Sequence, residues 1–132
     1  ELERIYLLRF KYWAGFFCLL GHMFPCMFGF RGGKGILSGG TVAFLLDWRL
    51  ALLAWGGFLL LTLLTRYVSL GSIYAAASFP VGTWLFVSHD RMIMLLSLII
   101  TALILWKHRA NFMRLIHGKE SKLTFHKKKE GV

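Results

Sequence analysis

The sequence predicts an all-α protein, a polytopic integral membrane helical bundle with short and Pro-kinked helices. Of its 132 residues, 57% are apolar, which is above the share of roughly half that is usual for a soluble domain. The apolar residues form long runs without Lys, Arg, Asp or Glu, at 50–64, 70–87 and 92–106. Runs of this length are typical of transmembrane helices. We therefore expect a single membrane domain over 1–132, with a basic tail over 107–132.

The predicted segments follow one another with short connections. Residues 12–30 form the first spanning segment, interrupted by Pro25, after a mixed charged and apolar stretch at 1–11. Residues 70–87 cross the bilayer with a kink at Pro80, 88–91 form a turn, and 92–106 cross back. Proline inside a membrane helix is tolerated where neighbouring groups satisfy the freed carbonyls.

The stretch between residues 36 and 65 decides the topology. A single helix would place Asp47 and Arg49 near the bilayer centre, at a cost of roughly 2.5 to 3.5 kcal/mol each. We therefore predict a short segment at 36–46, a turn around the sequence DWR at 47–49, and a second segment at 50–65 that returns to the side the first one left. This arrangement brings the loop before residue 36 and the turn after residue 65 to the same face of the membrane.

The loop at this face is glycine-rich and basic. Residues 21–35 read GHMFPCMFGFRGGKG. Glycine lets backbone amides approach an anion closely, and Arg31 and Lys34 add positive charge, so the pattern fits a phosphate-holding loop. The alternative is a basic connector between two helices. His22, one turn before Pro25, has either a structural hydrogen-bonding role within the bundle or a direct role in binding substrate.

The distribution of charge predicts the orientation. The side with the glycine loop and the tail carries eleven basic residues against two acidic ones, whereas the other side carries five against four. An excess of Lys and Arg marks the cytoplasmic side. Because the positive charge lies at segment ends and in the tail, the net charge of +10 indicates a membrane protein, and we expect no nucleic-acid partner.

The tail begins with KHRANFMRLIHGKE, residues 107–120. His108 and Asn111 are three residues apart and share one helical face, and Lys107 and Arg114, seven apart, share another. The face fits an anion site at the membrane surface. The alternative is a juxtamembrane helix that only binds anionic lipid headgroups.

Several other site types are excluded or disfavoured. A Walker loop needs glycine at 28 and a hydroxyl at 35, where Phe28 and Gly35 stand. No HExxH, GxSxG or zinc-type Cys/His spacing occurs, and we expect no metal and no cofactor. Cys18 and Cys26 are too far apart along a helix for a disulfide and are expected to be buried packing residues. His89, His117 and His126 are expected to be solvated.

Three motifs in register, GHMFPCMFGFRGGKG, TRYVSLGS (65–72) and HRANFMRLIHGKE (108–120), closely resemble the bacterial acyl-phosphate:glycerol-3-phosphate acyltransferases of the PlsY family. The resemblance implies a multi-pass enzyme of the bacterial inner membrane, with its site and C-terminus facing the cytoplasm. The implied reaction moves a fatty acyl group from acyl phosphate to the 1-hydroxyl of glycerol 3-phosphate in phospholipid biosynthesis. We expect the chain to be a monomer with these two substrates and the lipid bilayer as its partners.

The resemblance also implies the roles of individual residues. Lys34, His108 and Asn111 match the catalytic positions. The substrate-binding positions are matched by Gly32, Gly33, Gly35, Ser38, Ser69, Ser72, Arg109, Arg114, Glu120 and His22, and either Ser69 or Ser72 makes the serine contact. The family's earlier SGNxGxTN-type motif has no counterpart in the 132 residues, so we expect the C-terminal portion of a longer member. The alternative function is a non-catalytic membrane paralogue or an anionic-lipid-binding scaffold.

Overall fold

The computed structural model describes residues 1–124. Within these residues the chain is helical and has no strand. The six α-helices are α1 (Leu2–Met23), α2 (Ile36–Leu46), α3 (Trp48–Thr65), α4 (Val68–Gly82), α5 (Arg91–Lys107) and α6 (Arg109–Ile116). A 3₁₀ turn at Cys26–Phe28 and a π-helical turn at Thr83–Val87 complete the elements. The expectation for His126 lies outside the described residues.

The first helix differs from the prediction. It begins at Leu2 and ends at Met23, ten residues before the predicted start and seven before the predicted end. The charged residues of its first half are good helix formers, and Glu3, Arg4 and Lys11 are exposed, so these residues extend the helix. The helix ends ahead of Pro25 because the residue before a proline disfavours helical backbone.

The chain breaks between the second and third helices as predicted, but the break is shorter than the predicted turn at 47–49, because α3 begins at Trp48. Asp47 has extended backbone, and its carboxylate accepts a hydrogen bond from the backbone N–H of Arg49 at 2.8 Å. The Arg49 guanidinium lies 2.9 Å from the same carboxylate and also donates to the carbonyl of Phe86 at 2.9 Å. The two charges are therefore paired at one end of the bundle, as an N-cap of α3.

Among residues 1–124, two units are long and apolar enough to cross a membrane, namely α3 and the stretch Val68–Val87. A third unit meets the same test if α5 and α6 are taken together, with a bend of 59° between them. Helix α4 continues through Pro80. The carbonyl of Ala76, which Pro80 cannot serve because it has no N–H, instead accepts a hydrogen bond from the Thr101 hydroxyl at 2.9 Å.

The core runs along the contact between α1, α3, α4 and α5. Its most deeply buried large side chains are Tyr12, Leu19, Met23, Leu50, Ile93 and Ile100. The Tyr12 hydroxyl pairs with that of Thr83 at 2.9 Å, so the polar group of this buried ring is satisfied.

The expectation that Cys18 and Cys26 are buried is wrong, because both are exposed. In a bilayer an apolar side chain is compatible with an outward position, so apolar character alone does not predict burial in protein.

The two ends of the bundle differ in character. At one end the Arg9 guanidinium lies 2.6 Å from the Asp90 carboxylate, joining α1 to the turn before α5. The other end carries the loop 24–35, the turn 66–67 and the segment 108–124. All three predicted motifs therefore lie at the same end of the bundle.

Candidate active site

The glycine loop lies against the C-terminal end of α1. The backbone N–H of Gly33 donates to the carbonyl of His22 at 3.3 Å. A methyl group at Gly32 would overlap that same carbonyl, and one at Gly33 would overlap the His22 ring. Gly35 has a φ of +81° and precedes the first residue of α2. Glycine is required at 32, where the obstacle is backbone, and at 35, where φ is positive, so these two positions restrict the path of the loop from α1 to α2.

Lys34 extends from this loop to the third motif. Its ammonium group donates a hydrogen bond to the side-chain oxygen of Asn111. Asn111 is 8% exposed, while Lys34 is exposed. The two residues are 77 positions apart. This contact joins the first and third motifs directly.

Asn111 also contacts the second motif. Its amide nitrogen donates to the Ser69 hydroxyl at 2.9 Å and to the Glu120 carboxylate at 3.2 Å. The Ser69 hydroxyl in turn donates to the same carboxylate at 3.0 Å. Ser72 makes a different contact, because its hydroxyl donates to the carbonyl of Val68 within its own helix. Ser69 is therefore the serine that the structure joins to the third motif.

Glu120 is held by a segment that folds back over the start of α4. The backbone N–H of Leu123 donates to the carbonyl of Arg66 at 2.7 Å. Partial burial would raise the pKa of Glu120, but hydrogen bonds from Ser69 and Asn111 and the Arg114 guanidinium at 3.5 Å hold that pKa below its ordinary value. Glu120 is therefore an anion that fixes the orientation of Asn111.

His108 lies at the bend between α5 and α6 and is 4% exposed. Its Nδ1 lies 2.8 Å from the carbonyl of Ile104, where an N–H at Nδ1 donates to the carbonyl oxygen. In that tautomer Nε2 carries no proton and is able to accept one. The bend thus presents a buried imidazole at the same end of the bundle as Lys34.

These residues surround one open cavity of about 670 Å³. Its polar lining comes from all three motifs and consists of His22, Lys34, Gly35, Ser69, Ser72, His108 and Asn111. Its apolar lining consists of Ile36, Leu37, Trp55, Phe58 and Val68. The cavity is therefore amphipathic, with a cation, hydroxyls and an imidazole along one part and hydrocarbon and aromatic surface along the other.

Other predicted site residues lie outside the lining. Arg109 lies over the Trp106 ring at 4.1 Å and donates to its carbonyl, away from the cavity. Arg114 reaches Glu120 rather than the cavity. The Ser38 hydroxyl is buried and has no partner among the described residues. Gly32 and Gly33 pack on His22.

The apolar lining was not predicted. Trp55 and Phe58 on α3 also line a narrow apolar cleft of about 30 Å³ that continues into the bundle. Nothing in the sequence distinguishes these side chains from other apolar residues of a spanning segment, because only the packing of α2 and α4 brings them to the cavity.

Comparison with known proteins agrees with this arrangement. Residues 2–118 match the model of the family described as glycerol-3-phosphate acyltransferase. Proteins of that name are 38% identical over 110 residues in Finegoldia magna and 37% identical over 112 residues in Prochlorococcus marinus. These alignments cover 83% and 84% of this chain but 56% and 57% of the relatives. The chain thus spans little more than half the length of these relatives.

Two solved structures are similar as well. Both are crystal structures of PlsY, an integral membrane glycerol 3-phosphate acyltransferase, one in a glycerol 3-phosphate form and one in a lysophosphatidic acid form. Each has a TM-score of 0.75 and 36% sequence identity over 80% of this chain, and the alignments cover 52% and 54% of those chains. The predicted fold class, an all-α integral membrane bundle, is confirmed. On the extent of the family match and on these identities, the chain belongs to the glycerol-3-phosphate acyltransferase family.

Proposed function

We propose that this chain carries the acyl-transfer site of an enzyme that moves a fatty acyl group from acyl phosphate to the 1-hydroxyl of glycerol 3-phosphate. The observation that supports this best is the amphipathic cavity, to which all three motifs contribute. Its polar part suits phosphate groups and its apolar part suits an acyl chain. The products are lysophosphatidic acid and inorganic phosphate.

The reaction requires positioning and charge stabilisation more than activation. The 1-hydroxyl oxygen attacks the acyl carbonyl carbon, the bond from that carbon to the phosphate oxygen breaks, and the hydroxyl proton is taken up. Acyl phosphate is already an activated donor, so bringing two anionic substrates together supplies much of the rate. In this proposal the Lys34 ammonium neutralises phosphate oxygens next to Gly35, which also lines the cavity, and Asn111 orients a substrate.

His108 has two possible roles in the proposal. It either hydrogen-bonds a phosphate or assists removal of the proton from the attacking hydroxyl. An unprotonated Nε2 suits the second role, and the substrate's own phosphate is the alternative acceptor of that proton. A covalent acyl-enzyme is not part of the proposal. Neither cysteine lines the cavity, and the hydroxyls of Ser69 and Ser72 donate to Glu120 and to the Val68 carbonyl rather than to His108.

The acyl chain extends toward the lipid in this proposal rather than into the bundle. The cleft lined by Trp55 is narrow, with a volume of about 30 Å³, so the proposal places the acyl chain outside it. Leu37 and Val68 line the cavity and are exposed. In this proposal the fatty acyl chain therefore leaves the cavity between Leu37 at the start of α2 and Val68 at the start of α4. The excess of basic residues at this end supports a cytoplasmic orientation in a bacterial inner membrane.

The test is phosphate release from acyl phosphate that depends on glycerol 3-phosphate, measured in membranes. It is run on this chain and on this chain extended at its N-terminus with the segment that carries the family's first motif. Lys34→Ala should abolish most of the turnover, whereas Lys11→Ala removes the same charge from an exposed site outside the cavity and should not. No turnover in either form would overturn the enzyme proposal in favour of the scaffold alternative.

A further inference from the structure

Helix α6 has two faces of different character. One face carries Asn111, which is buried at the cavity. The other carries Phe112, Met113 and Ile116, with 51%, 52% and 61% of their surface exposed. Three large apolar side chains on one side of an eight-residue helix form an exposed apolar patch, and such patches are typical of surfaces that contact another protein or a membrane.

The direction of α6 limits what that partner is. Helix α5 is long and apolar enough to span a membrane only when it is taken together with α6, and α6 is bent from it by 59°. A helix of eight residues is about 12 Å long, so at this inclination α6 stays close to the level at which α5 leaves the bilayer. The outer face therefore meets the boundary between headgroups and acyl chains.

The junction with α5 has the composition of a membrane interface. Trp106 is half exposed, and the guanidinium of Arg109 lies 4.1 Å from the centre of its ring. The ammonium of Lys107 lies 4.2 Å from the Phe24 ring centre. Aromatic rings with adjoining cations are typical of residues at the level of lipid headgroups.

The charge of this surface favours an anionic lipid. The described residues from 107 to 124 contain five basic side chains, Lys107, Arg109, Arg114, Lys119 and Lys122, and one acidic side chain, Glu120. The Glu120 carboxylate is directed inward to Ser69 and Asn111. The outward field is therefore positive, which attracts anionic headgroups.

We propose that α6 is an interfacial helix whose outer face, formed by Phe112, Met113 and Ile116, lies in the headgroup and acyl boundary of an anionic leaflet. The same helix then contacts lipid on one side and presents Asn111 to the cavity on the other. The lipid contact does not depend on the proposed reaction, because an inactive chain would make it as well.

The test measures the depth of single spin labels in phosphatidylcholine bilayers with and without phosphatidylglycerol. Cys18 and Cys26 are first replaced by serine, and cysteine is then introduced at Phe112 or Ile116. Ala110 is the control, since it is exposed and two residues from Phe112, which turns it about 160° away from that side chain around the helix. Collision with oxygen, which concentrates in the bilayer, is compared with collision with a water-soluble nickel chelate. We expect the oxygen-to-nickel ratio at 112 and 116 to exceed that at 110 several-fold.

Two results would overturn the lipid contact. Labels at 112 and 116 that are as open to nickel as the label at 110 would place the face in water. Labels shielded from both reagents would show that a protein segment covers it.

The anionic part of the proposal has its own control. Phosphatidylglycerol should raise the oxygen-to-nickel ratio of the label at 116. The double variant Lys119→Gln/Lys122→Gln should not show this rise. The control double variant Arg4→Gln/Lys11→Gln, at the other end of the bundle, should still show it. An equal rise in both double variants would overturn the role of charge.

Discussion

The side-chain amide of Asn111 donates a hydrogen bond to the Ser69 hydroxyl at 2.9 Å, across 42 positions of sequence. It joins α6 to the first turn of α4, and the bond from Lys34 brings the glycine loop to the same side chain. Asn111 is therefore the residue at which the three motifs meet. The loss of Asn111 affects all three.

We predict that Asn111→Ala lowers turnover about 100-fold or more, because it removes partners from Lys34, Ser69 and Glu120 together. Ser69→Ala should lower turnover about tenfold, the equivalent of one hydrogen bond of roughly 1.4 kcal/mol. Ser72→Ala should have a smaller effect, because that hydroxyl bonds within its own helix. The phosphate-release assay ranks the three variants by their turnover. A larger loss of turnover in Ser72→Ala than in Ser69→Ala would show that Ser72, not Ser69, is the serine that the site depends on.

A second prediction concerns the path of the glycine loop. Gly32→Ala places a methyl group against the backbone carbonyl of His22, which cannot move without displacing the end of α1. We expect a loss of about 1–3 kcal/mol in the free energy of unfolding, as for other overpacked sites, together with a raised KM for glycerol 3-phosphate. Gly21→Ala is the matched control, since a methyl group there meets open space. Thermal unfolding in detergent compares the two variants. Equal unfolding temperatures for Gly32→Ala and Gly21→Ala would contradict the predicted overlap at position 32.

The sequence predicts those parts of the fold that follow from the free-energy cost of placing particular residues in the bilayer. The break at Asp47 follows from the cost of placing two charges in the bilayer, and the common face of the three motifs follows from that break. The start of α1 was not predictable in the same way, because charged residues at 1–11 are compatible with a helix or a connector. Packing alone decides between them.

The site shows the same division. Lys34, His108 and Asn111 were identified by residue type and spacing, and the structure places all three at one cavity. Arg109 and Ser38 were identified by resemblance alone, and they lie away from the cavity lining. Trp55 carries no chemical signal in the sequence, so its position at the cavity was not predicted.

A third prediction concerns pH. The pKa of Glu120 is held below its ordinary value in the folded chain, so its contribution to stability is complete above the ordinary pKa of about 4.5. That contribution is lost as the pH falls from there through the lowered pKa of the folded state. Glu120→Gln should be less stable than the wild type at pH 7, and the difference should narrow in acid. Unfolding temperatures from pH 7 to pH 3 provide the comparison, and a difference independent of pH would refute it.

The last prediction concerns Pro80, which leaves the carbonyl of Ala76 without its usual helical partner. The Thr101 hydroxyl on α5 donates to that carbonyl at 2.9 Å. We expect Thr101→Val to lower the free energy of unfolding by about 0.5–1.5 kcal/mol, the range for one buried hydrogen bond inside a membrane protein.

In a Pro80→Ala background the new backbone N–H at position 80 reaches the Ala76 carbonyl, so the hydroxyl becomes dispensable and the effect of Thr101→Val should shrink toward zero. Measuring all four proteins in the same detergent gives the coupling between the two sites. If the two substitutions instead prove additive, Thr101 does not replace the hydrogen bond that Pro80 removes.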